Sequence, residues 1–169
     1  MTVVKKSRAG LANFTDKAGA AAVGARLRRL SERIDREATE LYAELGVKFE
    51  QRWFGTMNLL DLYGPLTVGE LAQALGITHV SVSQTRDSLQ RSGLTTSDVD
   101  PSDGRRRTVR LTKEGKALVA RLKPLWTALS QAAAELDQEA GDVLAALERL
   151  ERALERSSLS ERVRRLLRK

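Results

Sequence analysis

The residues whose types and spacing could do chemistry fall into two short clusters. The first runs His79-Val80-Ser81-Val82-Ser83-Gln84, with Arg86 two places on. The second is Asp103-Gly104-Arg105-Arg106-Arg107. A histidine beside two serines raises nucleophilic hydrolysis, with His79 as base and Ser81 or Ser83 as nucleophile. Successive turns of one helix do not deliver nucleophile, base and orienting acid in that geometry, and nothing suggests an oxyanion hole. His79 is the only histidine and there is no cysteine. A zinc ligand set of nitrogen and sulfur therefore falls short, and nothing points to magnesium held by carboxylates. No catalytic residue, metal or cofactor is expected. What remains is recognition. The Gln84 amide can pair with an adenine edge through two hydrogen bonds, each such pair being worth about 1–3 kcal/mol of discrimination. Ser81 and Ser83 are short donors and acceptors that suit bases or phosphates, His79 lies beside them, and Arg86 is better placed for the phosphate backbone. For each, the plainer reading is a solvated polar side chain.

The elements around these clusters have strong local signals. Thr67 and Glu70 form a Thr-x-x-Glu capping box that starts a helix. Val68, Leu71, Ala72 and Leu75 mark its apolar face, and Gly76 ends it. Thr78 caps a second helix with Val82, Thr85 and Leu89 turned inward, and Gly93 stops it. Two helices joined by a tight glycine turn make a helix-turn-helix, whose second helix is the candidate reader of a major groove. Leu94 to Val99 can form a strand. Asp100-Pro101-Ser102-Asp103-Gly104 is turn chemistry. Thr108-Val109-Arg110-Leu111 alternates as a return strand. A helix pair followed by a hairpin with three arginines at its tip is a winged helix.

Asp103-x-Arg105, then five residues, then Leu111-Thr112-x-x-Gly115 resembles the wing signature of the MarR family of bacterial transcriptional regulators. Asp100-Pro101-x-Asp103-Gly104-Arg105-Arg106 fits that wing as well, and the resemblance covers Leu59 to Leu118. It implies that Arg105 enters a minor groove, where a guanidinium gains from negative potential. Asp103 would hold that arginine in place by an ion pair. Arg106 and Arg107 would bind phosphates or stay solvated. The resemblance also implies a homodimer on pseudo-palindromic double-stranded DNA, with the first helix in the dimer interface. It further implies an aromatic or anionic small-molecule effector between the two lobes.

The rest of the chain is compatible with this. It has 169 residues and a net charge of +7, which favours a polyanionic partner. The rival partner, an anionic membrane surface, is not expected. Without cysteine there are no disulfides or thiol redox sensors. No transmembrane run or secretory signal is read, so a cytoplasmic location is expected. Residues 1–19, with Lys5, Lys6 and Arg8, read as a flexible basic arm. In 20–46 the stripe Val23, Leu27, Leu30, Ile34, Ala38, Leu41 and Leu45 makes an amphipathic helix. It would serve a dimer or pack inside its own subunit. Most aromatics lie between Val47 and Tyr63, where a helix from about Gln51 would pack under the helix-turn-helix. Phe49, Arg52, Trp53 and Met57 are either core or the effector pocket, with Arg52 beside Trp53 suited to an aromatic carboxylate.

After the wing, a helix from Lys113 to about Leu136 carries Leu118, Leu122, Leu125, Leu129 and Ala133, with Pro124 inside it. A second helix is read over Asp137 to Arg156, then a break at Ser157-Ser158 and a short basic helix from Ser160. The fold expected is mainly α with a small β-hairpin wing. A winged helix-turn-helix DNA-binding domain (47–112) would be joined to a helical dimerisation region from 20–46 and 113–169. The function expected is a sequence-specific DNA-binding transcriptional regulator, acting as a repressor. The alternative is a constitutive or architectural DNA-binding protein without an effector. An enzyme is not expected, because no glycine-rich acyl-carrier loop follows the wing and the remaining chain is short for an acetyltransferase. A protein-interaction module would leave the arginine-rich wing unexplained.

Overall fold

The structure is a computed structural model that describes residues 17–99 and 107–168. Residues 1–16 of the expected basic arm lie outside the described residues, as do residues 100–106, with Asp103, Arg105 and Arg106 among them. A short 3-10 turn, Gly19–Ala22, leads into α1, Val23–Glu44. Then follow α2 (Trp53–Tyr63), β1 (Leu66–Thr67), α3 (Val68–Leu75) and α4 (His79–Arg91). The wing strands are β2 (Thr95–Val99) and β3 (Arg107–Leu111), and the chain continues as α5 (Lys113–Glu139), α6 (Val143–Arg156) and α7 (Leu159–Leu167). The chain divides into two compact units, with the boundary after Ala117 inside α5.

In the first unit the local signals work as read. Thr67 Oγ1 accepts the Glu70 backbone N–H and Glu70 accepts that of Thr67, closing the capping box of α3. Gly76 ends α3 in the left-handed conformation at φ 64°, a region open to glycine without a Cβ penalty. Thr78 accepts the Ser81 N–H and caps α4. Val82, Thr85, Ser88 and Leu89 are the buried residues of α4.

The sheet has one strand more than a hairpin, in the order β1-β3-β2, all antiparallel. Leu66 and Thr67 pair with Val109 and Thr108. The N-cap position explains this, because Thr67 must be extended (φ −77°, ψ 160°) to cap α3, and an extended pair beside β3 satisfies its backbone there. On β3, Val109 and Leu111 are buried on one face and Arg110 is exposed on the other, while Arg107, on the face of Val109, is exposed where the strand begins.

The Leu111-Thr112-x-x-Gly115 motif has a geometric cause. Thr112 donates its backbone N–H to the Leu94 carbonyl and its hydroxyl to that of Gly93, while its Oγ1 accepts the Gly115 N–H. A Cβ on Gly115 would sit 2.1 Å from the Leu94 carbonyl oxygen. Glycine is required there because the strand end and the start of α5 touch backbone to side.

Much of the α1 stripe is exposed. Ala38 is buried, but Val23, Leu27, Leu30, Ile34 and Leu45 are exposed, Ile34 to 60%. In the second unit the expected helix start at Asp137 is corrected. Asp137 belongs to α5, which runs on to Glu139, and its carboxylate accepts the Leu144 N–H across the turn. Gly141 (φ 79°) and Asp142 (φ 59°) make that turn, so the acid that looked like the first residue of α6 caps it from the preceding helix. Along α5, Leu122 is buried and Ala133 is exposed. The last helix begins at Leu159, one residue earlier than read, because Ser158 forms a capping box with Glu161. The Ser158 N–H and hydroxyl hold the Glu161 carboxyl below its ordinary pKa. Helices α6 and α7 contain no buried residue; Leu144, Leu159, Leu166 and Leu167 are exposed apolar side chains.

Gly115→Ala tests the backbone contact. Overpacking of this kind costs about 1–3 kcal/mol or more, which outweighs the gain of up to ~1 kcal/mol from replacing glycine in a helix. Gly69→Ala is the control, since its Cβ would meet nothing nearer than 3.6 Å. Urea unfolding should show Gly115→Ala less stable and Gly69→Ala equal to or more stable than wild type; equal stability of the two variants would refute the contact.

Candidate nucleic-acid interface

Helix α4 is amphipathic by use. Its inner face is held by Val82 and Leu89, both at 0% exposure, by Thr85, and by a buried polar anchor at Ser88. Ser88 Oγ accepts the Trp53 indole N–H at 3.2 Å and an Arg52 guanidinium N–H at 3.3 Å, and donates to Glu50 at 3.3 Å. Phe49 packs edge-on against Trp53 with centroids 5.6 Å apart, and against Tyr42 at 4.5 Å. Tyr42 and Met57 are fully buried. Between two readings of the aromatic stretch, Phe49, Trp53 and Met57 are thus core residues that seat the helix. Arg52 Nε meets the Glu50 carboxylate at 2.6 Å, so another carboxylate there would compete with Glu50. A shallow apolar groove of about 360 Å³ lies to one side of Phe49, lined by Thr39, Ala43, Gly46, Val47 and Lys48.

The outer face carries the predicted reading residues. His79, Ser81 and Gln84 are exposed and Ser83 is half-buried. The Gln84 amide is open to solvent. The His79 ring leans over Gly69, its Cε1 3.6 Å from where a Cβ would stand. Ser81 Oγ lies 2.9 Å from Thr78 Oγ1, so it is shared with the cap. Arg86 is half-buried, and its guanidinium is gripped by the adjacent Asp87 at 2.7 and 3.0 Å. A phosphate contact by Arg86 would compete with that carboxylate. Arg107 is exposed at the start of β3. Asp103, Arg105 and Arg106 lie outside the described residues.

Three features were not foreseen from sequence. Val80, in the first turn of α4, is 66% exposed. Arg110 and Asp98 pair diagonally across β3 and β2, a contact that the alternation of the strands could have revealed. Gln90 on α4 donates to Ser97 on β2 at 2.7 Å, tying the helix to the wing.

Residues 45–106 match the family described as the MarR family. Over that stretch, which runs from α2 through β2, the chain is similar to the MarR family. No curated protein matches the chain. Among solved structures, the Staphylococcus aureus MepR–DNA complex is similar at 23% identity and a TM-score of 0.66, over 78% of this chain and 98% of that one. The transcriptional repressor CouR bound to a 23-mer DNA duplex gives 26% identity and 0.60, over 82% and 96%. Bordetella bronchiseptica BpsR, whose DNA binding is regulated by 6-hydroxynicotinic acid, gives 23% and 0.60, over 78% and 91%. These likenesses are to the fold of the MarR-family winged helix. Among the described residues there is no cluster of metal-ligating side chains and no helix long and apolar enough to cross a membrane.

Ser88→Ala would leave the buried Trp53 N–H without its hydroxyl acceptor. Loss of a buried partner costs about 1–3 kcal/mol, so the denaturation midpoint should fall while the fold, by circular dichroism, is kept. An unchanged midpoint would show that the indole N–H does not depend on Ser88.

Proposed function

We propose that the protein is a sequence-specific transcriptional regulator, a repressor that binds a pseudo-palindromic DNA duplex as a homodimer. The observation that carries this reading is α4, anchored from within and presenting Gln84, Ser81, Ser83 and His79 outward, beside a wing strand with exposed Arg107 and Arg110. Gln84 would read an adenine edge, and the serines and His79 bases or nearby phosphates. Arg105, positioned by Asp103, would enter the adjacent minor groove, with Arg106 and Arg107 on phosphates. The DNA complexes of MepR and CouR, which share the fold, support duplex DNA as the partner.

The uncovered apolar stripes of α1, and of α6 and α7, support a homodimer, since exposed leucine rows of this length call for a protein partner. Two recognition helices about 34–36 Å apart would then enter successive major grooves. A small aromatic or anionic effector would act by binding better to the DNA-incompetent arrangement. BpsR, with its 6-hydroxynicotinic acid, supports an effector of that class.

A specific observation favours the constitutive or architectural alternative. Of the residues assigned to an effector pocket, Phe49, Trp53 and Met57 are core and Arg52 is paired to Glu50. A carboxylate ligand at Arg52 would first have to displace Glu50.

Binding to a fluorescent duplex from the gene's own upstream region, compared with a scrambled duplex over a range of salt, tests the reading. Affinity should be selective and fall with salt at a slope of about −0.9 per phosphate contacted. Gln84→Ala should lose roughly 1–3 kcal/mol of selectivity, whereas Arg105→Ala should weaken binding to both duplexes. Release by 6-hydroxynicotinate would favour the regulated form and no release by such acids the constitutive one. Equal affinity for both duplexes would refute sequence-specific recognition of that region.

A further inference from the structure

The outward surface of α4 is not uniformly polar. Val80 is 66% exposed between exposed His79 and Ser81. It stands four positions before Gln84, so the two side chains lie one turn apart on the same face. The core does not need it, because the buried side of the helix is made by Val82, Thr85, Ser88 and Leu89. Helix formation does not need it either, since a β-branched side chain is a weak helix former.

Single apolar side chains are ordinary on a protein surface. Val80, however, has company: Ile77, in the turn between α3 and α4, is 45% exposed. Two branched apolar groups therefore flank the polar cluster at the end of α4 that would enter the groove.

The major groove of B-DNA displays one apolar group, the 5-methyl of thymine. We propose that Val80 reads a thymine methyl beside the base pair contacted by Gln84, and so helps to determine the operator sequence. Burying that methyl against the valine removes apolar surface from water. A cytosine at the same place would turn its N4 donor toward a side chain that cannot accept it, which disfavours C relative to T. Val80 and Gln84 together would read adjacent A·T pairs, once in each half-site of a twofold complex. This inference rests on the duplex-binding reading above.

The test uses the full chain and a duplex selected by wild type from a random-sequence library. Its thymines are then all replaced by deoxyuridine, which removes the methyl groups and keeps the Watson–Crick edges. Wild type should bind the uridine duplex about fourfold more weakly for each methyl contacted. Val80→Ala, at a position 66% exposed in the fold, should bind the thymine duplex more weakly than wild type and lose less than wild type on going to the uridine duplex. Equal wild-type affinity for the two duplexes would overturn the inference and leave duplex binding intact. So would a Val80→Ala variant that is as sensitive to methyl loss as wild type. If no duplex is enriched and none binds at low salt, the duplex-binding reading falls and the inference with it.

Discussion

The Ser88 hydroxyl, buried on the inner side of α4, takes the Trp53 N–H and an Arg52 N–H and gives its own proton to Glu50. Contacts of Val82 and Leu89 alone would hold α4 against the core but would tolerate a small roll, because apolar burial is non-directional. A hydrogen-bonded hydroxyl with partners on three side chains does not tolerate it. Rolling the helix by one residue, about 100°, would break the buried bonds and expose Leu89 while turning Gln84 inward. Which residues α4 turns outward therefore depends on a hydroxyl buried on its inner side.

The same constraint extends to the wing. Gln90 joins α4 to Ser97 on β2, and Thr112 joins the end of β3 to the carbonyls of Gly93 and Leu94 at the close of α4. Helix and wing are thus positioned by short polar contacts around the Gly93–Leu94 turn, and Gly115 permits the approach. The ion pairs play a smaller part. Arg86–Asp87, Arg52–Glu50 and Arg110–Asp98 are partly exposed, and such pairs contribute about 0–1 kcal/mol each. Their consequence is positional: Arg86 and Arg110 reach any phosphate only in competition with a carboxylate already in place.

The apolar rows have a different logic. A helix that hides its stripe in its own core needs no partner, but α1 hides only its last turns, around Ala38 and Tyr42. The rest of that stripe, and those of α6 and α7, face outward. Burying such surface is favourable by about 25 cal/mol per Å².

Much of this was legible in the sequence because the signals are short-range. The capping box Thr67–Glu70, the cap at Thr78, the left-handed Gly76 and the inward triplet Val82, Thr85 and Leu89 each involve residues within a few positions, so their geometry is dictated by backbone bonding. The wing motif was recognisable for the same reason, although its cause, the Thr112 and Gly115 contact with the Gly93–Leu94 backbone, was not. Tertiary structure alone decided what lay across long separations. Ser88 and Trp53 are 35 residues apart, and nothing in either's neighbourhood names the other. Whether Phe49, Trp53 and Met57 would be buried, and whether β1 would join β3, depended on which surfaces meet, and periodicity marks an apolar face without saying what covers it.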